Sequence, residues 1–402
     1  MDYNGTVTPN VVKELANCTG CGACVNICVH NAIKMYWIEG FLYPRINMSS
    51  CMKCGQCHRI CPANQGSGNT YYDNRHKPPR AYAVQVLDED VRAVSSSGGV
   101  FSQLADQILK AGGAVYGVQY TPEFKTAHTC VTDSASLGRL RGSKYLQSEM
   151  GLAMREAKTM LLTGQLVLFS GTPCQIGGLK SYLGKGFDNL FCVDIVCHGV
   201  PSPLVWEKYL AYRMKNAESK YMPTRVNMRS KKSGWTRYSY SMEIAFDNGN
   251  VYLKHNRKDP YMSCFASDIC LRESCYHCQY RKVEHEAADL TLADFWGVEK
   301  QHLEMDDNKG TSLVLIHTEK GAELLQQCTG FIKMVKTDIN RAVAANQGAL
   351  QQPLQSRHRL KLEFMHLVNE SSFELAYRKM IRKLYFVKVL DKFKNFLKRD
   401  NA

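Results

Sequence analysis

Two short stretches near the start of the chain constrain its fold more than any other part. Residues 18–28 read CTGCGACVNIC and residues 51–62 read CMKCGQCHRICP, each a C-x2-C-x2-C-x3-C run, the second closed by proline. Thiolates at this spacing wrap [4Fe–4S] cubes, three cysteines of one run and the last of the other serving each cube. One site takes Cys18, Cys21, Cys24 and Cys61, and its twin takes Cys51, Cys54, Cys57 and Cys28. Gly20, Gly22, Ala23 and Gly55, set between ligands, let the backbone close around the cubes and turn N–H groups to the sulfurs. Zinc sites are commonly built from separated CxxC pairs, which these runs are not. Cys28 is followed by Val29 in place of proline, a local change that leaves ligation intact.

Such a pattern is that of a bacterial two-cluster ferredoxin, a one-electron wire with no reaction centre of its own. Residues 1–70 are therefore expected to form that unit, and residues 71–80, the end of the Gly-, Asn- and Pro-rich stretch PANQGSGNTYYDNRHKPPR, to form a linker. Residues 1–80 hold eight Lys/Arg against four Asp/Glu, a balance that suits an acidic electron carrier such as ferredoxin or a plain solvated basic surface. Over all 402 residues the formal charge is +14, yet no zinc-finger, RNA-recognition or helix-turn-helix signature accompanies it. No nucleic-acid partner is expected. The first residues have neither a basic nor an apolar leader segment, and no apolar run reaches eighteen residues. A cytoplasmic protein is the expectation.

The body alternates strands with helices. AYAVQV (81–86) and AVYGVQY (114–120) read as strands around an apolar helix over Val100–Leu109, which follows SSSGG (95–99). A Ser/Gly turn feeding a helix offers N–H groups to a phosphate, although a plain N-cap is the commoner use of the pattern. GSKYLQS (142–148) precedes a helix over 149–163, and an apolar strand at 166–169 runs through an SGTP turn into another helix. LFCVDIVCHGVPSP (190–203) repeats the strand-then-turn form, and ADLTLADFWG (288–297) reads as a strand ending near Asp294 and Trp296. The fold class is α/β (α+β), with the ferredoxin-like unit in front.

SSSGG, RGSKYLQS, GTPCQI, VDIVCHGVPSP, CLRESCYHC and ADLTLADFWG occur in this order. In them, over about residues 15–340, the chain resembles the coenzyme F420 hydrogenase/dehydrogenase beta-subunit family, in its bacterial form with a fused two-cluster ferredoxin. The resemblance implies an FAD-binding part over 81–185, a C-terminal part over 186–355 with a further [4Fe–4S] site, and a separate tail over 356–402. It also implies that Ser95, Ser96, Ser97, Gly98 and Gly99 lie by the FAD phosphates. Lys144 and Gln147 would hold the cofactor, and Gly171, Thr172 and Pro173 would line its pocket. Members pass electrons to or from an organic substrate such as the deazaflavin F420. An electron-transfer subunit without a substrate of its own is the alternative.

Cys270, Cys275 and Cys278 have the early spacing of a plant-type cluster site that needs a fourth cysteine. Cys197, after a buried strand, is the expected partner, with Cys174 of GTPC second, ahead of Cys264 and Cys328; a four-cysteine zinc site is the other reading. His198 is a candidate general acid and equally a structural hydrogen-bonding residue. Residues 208–237 hold nine Lys/Arg and one acid, either a solvated face or a ridge for an anionic substrate. Residues 373–402, with nine Lys/Arg against three acids, form an apolar and basic helical pattern. That pattern suits either a peripheral membrane contact or docking on the protein's own body.

Overall fold

The computed structural model describes residues 11–65, 78–236, 239–281, 287–344, 346, 350–353 and 355–384. Most of the expected linker and residues 385–402 of the tail lie outside them. The N-terminal unit is built on a hairpin, β1 (Ile33–Ile38) and β2 (Phe41–Ile46), in which Ile38 stands opposite Phe41. Only Glu39 and Gly40 make the turn, with φ of 48° and 78°. Positive φ at both positions is what a two-residue type I′ loop requires. Beside the hairpin lie α1 (Ala23–Ile27), α2 (Gln56–Arg59) and α3 (Pro62–Gln65). Gly22 and Gly55 occupy matching places in the two cysteine runs and cap α1 and α2 with φ of 84° and 71°. The duplicated sequence thus folds as a duplicated turn.

The body is organised on one eight-stranded sheet, ordered β13-β3-β12-β11-β7-β6-β4-β5. Its strands are β3 (Arg80–Val86), β4 (Ala114–Tyr120), β5 (Thr126–Val131), β6 (Val167–Gly171), β7 (Leu190–Ile195), β11 (Leu290–Asp294), β12 (Ser312–Ile316) and β13 (Ile332–Thr337). A small antiparallel sheet holds β8 (Arg225–Ser230), β9 (Ser241–Ala245) and β10 (Val251–His255). The central strands β4, β6, β7 and β11 run parallel. Strands covered on both faces need apolar side chains on both. Leu168 and Val193 accordingly face one core, and Val167 and Phe169 face the other. Helix α4 (Glu89–Val94) leads into α5 (Val100–Lys110), which fills the first core with Leu104, Ala105 and Ile108. Helices α6 (Ala153–Leu162) and α7 (Pro173–Leu183) fill the second with Met154, Ala157, Ile176 and Leu179. The flanking strands β5, β12, β3 and β13 pair antiparallel, so the sheet is mixed. Strands from 81–185 and from 186–355 are interleaved in it.

A third core joins the N-terminal unit to the body. Val12, Cys18, Phe41 and Tyr43 pack in one cluster with α8 (Pro203–Asn216), α9 (Pro260–Ala266) and the helix Gln355–Glu370. Phe373, Ala376, Met380 and Leu384 of the tail are buried in the same cluster at helical spacing. Over the described part of the tail, this apolar face packs on the protein itself. No helix among the described residues is long and apolar enough to cross one.

Candidate redox site

Open α/β sheets place ligands outside the carboxyl ends of their parallel strands. Here adjacent strands β6 and β7 end at Gly171 and Ile195, and Cys174 and Cys197 follow in the segments just beyond. Cys275 and Cys278 arrive at the same edge from a loop bridged to it by Pro201 opposite Leu271. Burial pushes the Cys174 thiol well up, and the neighbouring Cys278, Cys197 and Cys275 push it further. Cys197, raised to about 12, is acted on by burial and then by Cys275 and Cys278. These four thiols are mutual neighbours. Cys270 is not with them: it is wholly buried in the third core, where burial and then Asp268 raise its thiol. Cys264 and Cys328 are likewise packed in apolar cores.

The N-terminal cysteines are also close neighbours of one another. Burial, then Cys21, Cys18 and Cys61, raise the Cys24 thiol, and burial, then Cys28, Cys54 and Cys51, raise that of Cys57. Each set also has N–H groups aimed at sulfur. Ala32 N donates to Cys28 Sγ over 3.3 Å, Lys53 N to Cys51 Sγ over 3.4 Å, and Val200 N to Cys275 Sγ over 3.4 Å. Amides in this position stabilise thiolate, the form that ligates iron. Among the described residues no three Cys, His, Asp or Glu side chains close on a single point, as one metal ion needs.

A cavity of about 320 Å³ joins these parts. Thr19 and Gly20 of the first cysteine run, Cys174, Ser95–Ser97, Gly99, Lys144, Gln147, Thr172 and Asp294 all line it. Gly99, with φ of 87°, caps α5, whose first-turn N–H groups have no partner inside the helix. Ser96 Oγ is held by Ser143 N at 2.7 Å, so the Ser/Gly turn is tied to the segment that carries Lys144. The Lys144 ammonium donates to the Arg141 carbonyl at 2.8 Å, and burial pulls it down to about 7. Thr172 caps α7 and bonds Gln175, which in turn donates to Ser148. Behind them His128, brought down to about 4 by burial, shares a 3.1 Å bond with the Ser148 hydroxyl and stays neutral.

Four expected site residues have other duties. Gly98 lies outside the lining: a Cβ there would stand 2.4 Å from the Val84 carbonyl, so glycine is needed for the turn to lie on the sheet. Pro173 opens α7 and is also off the wall. The Gln147 amide commits Oε1 to Leu42 N (3.0 Å) and Arg272 Nη1 (3.1 Å), and its Nε2 to the Leu42 carbonyl, clamping the hairpin to the body. His198 does not line the cavity; its Nε2 pairs with Asp268 Oδ1 at 2.7 Å.

Within the basic stretch 208–237, Lys215 and Lys220 are exposed, as a solvated face would have them, whereas most of the other described basic side chains have partners. Lys208 and Lys231 donate to backbone carbonyls, Arg225 and Lys232 pair with the buried Glu243, and Arg213 lies against the rings of Tyr209, Tyr212 and Tyr252. Arg229, buried, pairs with Asp294 at 2.9 Å and lies over the rings of Tyr240 and Trp296. Trp235 stacks on Trp296 at 4.8 Å. Arg272 and Arg281 are residues that spacing alone did not single out. Their signal was only that each stands within a few positions of a cysteine in CLRESCYHCQYR.

Comparison with known proteins gives three family matches. Residues 17–65 match the 4Fe-4S dicluster domain. Residues 81–155 match the N-terminal part of the coenzyme F420 hydrogenase/dehydrogenase beta subunit, and residues 164–339 match its C-terminal part. No curated protein matches by sequence. Among solved structures, a chain of the F420-reducing [NiFe] hydrogenase complex from Methanosarcina barkeri is 14% identical with a TM-score of 0.47, covering 74% of this chain and 94% of that one. At that distance the likeness bears no functional weight.

Proposed function

The chain belongs to the coenzyme F420 hydrogenase/dehydrogenase beta-subunit family and carries a fused 4Fe-4S dicluster domain; from this we propose an iron–sulfur flavoprotein that moves electrons between its clusters and FAD. One observation carries the reading. The cavity walled by the Ser/Gly turn and Lys144 is walled also by Cys174 and by Thr19 and Gly20 of the first cysteine run. A flavin there lies within reach of both the N-terminal and the body cysteines.

When bound, the clusters supply one-electron transfer, and FAD couples single electrons to hydride exchange with an organic substrate. The third cluster is assigned to Cys174, Cys197, Cys275 and Cys278. At the flavin end, the first-turn amides of α5 and the Ser96 hydroxyl suit a phosphate, while the Ser95 and Ser97 hydroxyls donate to the Val91 and Thr311 carbonyls. Lys144 places a cation beside anionic parts of the cofactor. Val118, Ile195 and Leu292 supply apolar wall for a ring system and keep water from it. The outer N-terminal set would receive electrons, since Cys54 is exposed and follows the exposed Met52 and Lys53 in the chain. That surface suits an acidic carrier of the ferredoxin type. The substrate is a hydride donor or acceptor, a deazaflavin of the F420 kind being one.

Anaerobic purification with cluster reconstitution tests the reading: FAD near one per chain and about twelve irons per chain are expected for three cubes. A fully iron-loaded protein that takes up no flavin overturns it. The family description as a subunit favours a second reading, an electron-transfer subunit without its own substrate. Co-purification of a catalytic partner, with no hydride exchange by the chain alone, would establish that reading.

A further inference from the structure

Arg272 is the cation with the least expected surroundings. Its side chain is wholly buried, with 0% exposure. Its Nε donates to the Cys18 carbonyl at 2.7 Å, and Nη1 donates to the Leu42 carbonyl at 3.0 Å and to Gln147 Oε1 at 3.1 Å. Its Nη2 donates to Cys18 Sγ at 3.5 Å, and the guanidinium stacks 3.9 Å from the centre of the Tyr43 ring. The oxygen acceptors in this set are all uncharged, and the sulfur is the one that carries negative charge when it ligates iron. The adjacent carboxylate, Glu273, is taken by Lys361 and His358. A buried charge without a counter-charge costs several kcal/mol. A cluster on Cys18, Cys21, Cys24 and Cys61, anionic with its four thiolates, is the counter-charge this guanidinium faces.

The twin set has a guanidinium placed otherwise: Arg155, half-buried, donates to the Cys28 carbonyl at 3.0 Å and, among the described residues, to no sulfur. That set's recorded sulfur bonds come from backbone amides, those of Ala32 and Lys53, and Cys54 opens to solvent, where water weakens any charge interaction. The two halves of a duplicated motif thus differ in how a guanidinium is set, wholly buried against a sulfur in one and half-buried against carbonyls in the other. The same guanidinium sits in the loop before Cys275, and its charge also reaches that thiol.

We propose that Arg272 sets the direction of electron flow through the N-terminal pair, holding the cluster on Cys18, Cys21, Cys24 and Cys61 at a higher potential than its twin. Reduction adds one negative charge, which a fixed cation stabilises. One electron leaves the outer cluster and one is gained by the inner, with no bond made or broken. No proton is needed, because a guanidinium keeps its charge across the accessible pH range. An electron delivered at the Cys54 side therefore settles inward, next to the body cysteines. Arg272 is a positioning residue: it touches a ligand and acts through it.

The proposal rests on the cluster assignment above, and its test separates the two. Redox titration of the anaerobic, iron-loaded full chain, followed by electron paramagnetic resonance, reads both N-terminal midpoints; the outer signal is the one lost in Cys54→Ser. In Arg272→Gln the inner midpoint falls against the outer by at least tenfold in the constant for sharing one electron, which is 59 mV for a one-electron couple. Retention of both signals with an unchanged gap, or an equal shift of both, overturns the proposal. Should Arg272→Gln fail to load the inner cluster, Gln147→Glu decides. That nearly isosteric change sets a carboxylate beside Nη1 and is expected to lower the inner midpoint alone, and no change there refutes the role of the charge. A wild-type chain lacking two N-terminal signals is a different failure, and it removes the cluster assignment together with the proposal.

Discussion

The N-terminal and the body cysteines solve one problem in opposite ways. Eight N-terminal ligand candidates lie within residues 18–61, at spacings fixed by how a chain wraps a cube. The four body cysteines come from three segments that only the sheet brings together: the turn after β6, the turn after β7 and the loop at 275–278. A local motif carries its own geometry. An assembled site borrows geometry from the fold and is legible only once the fold is known.

The contrast breaks most cleanly at two cysteines that sequence spacing could not rank. Cys174→Ser should remove about four of twelve irons and the body cluster's resonance signal, leaving the N-terminal signals intact. Cys270→Ser should leave iron content unchanged and cost about 1–2 kcal/mol of stability by placing a hydroxyl in an apolar core. Iron and sulfide assays on both variants check the pair, and iron loss in Cys270→Ser would reverse the assignment.

A second test probes where the two regions touch. A Cβ at Gly178 of α7 would stand 2.8 Å from Cys21 Sγ, so Gly178→Ala should cost about 1–3 kcal/mol through overpacking. It should perturb the signal of the cluster on Cys21 and spare that on Cys51 and Cys54. Denaturant unfolding with resonance spectra of the same samples measures both effects.

Flavin binding should depend on pH through Lys144. Its ammonium, lowered to about 7 by burial, is half deprotonated near neutrality in the empty site, whereas an anionic cofactor favours the charged form. Binding then takes up a proton, so affinity falls as pH rises above about 7, by up to tenfold per unit. Lys144→Met should flatten the profile, as read by quenching of FAD fluorescence. The smallest effect belongs to the outer surface. Lys53→Glu should slow reduction by an acidic carrier about two- to fivefold at low salt and much less at high salt, because screening removes the steering.

Much of the fold was legible. The strands at 81–86, 114–120 and 166–169 and the helix after GTPC follow from apolar runs bounded by glycine turns, and β3, β4, β6 and α7 stand there. The mixed order of the sheet was not legible, because β12 and β13 pair with β3 over long separations that no local pattern records. At the site, the role of Cys270 was misleading because C-x4-C-x2-C is a spacing argument: Cys270 and Cys275 share one apolar cluster, yet only Cys275 has Cys174, Cys197 and Cys278 for neighbours. The clue that favoured Cys174 was positional: it and Cys197 follow the carboxyl ends of neighbouring strands. Basic side chains misled for a related reason. Composition counts charges and is blind to the carbonyls and carboxylates, such as Glu243, that neutralise them on folding.

The clamp between Leu42 and Gln147, the shared core around Cys18 and the Gly178–Cys21 approach leave the dicluster unit no hinge on its inner side. Tethered carrier domains elsewhere shuttle by diffusing between docking positions on microsecond to millisecond timescales. On the proposed assignment, a hop from the inner cluster to the body would be set by tunnelling between fixed centres and by their potentials. Thickening the solvent with sucrose should therefore slow the encounter with an external donor and leave the internal step untouched.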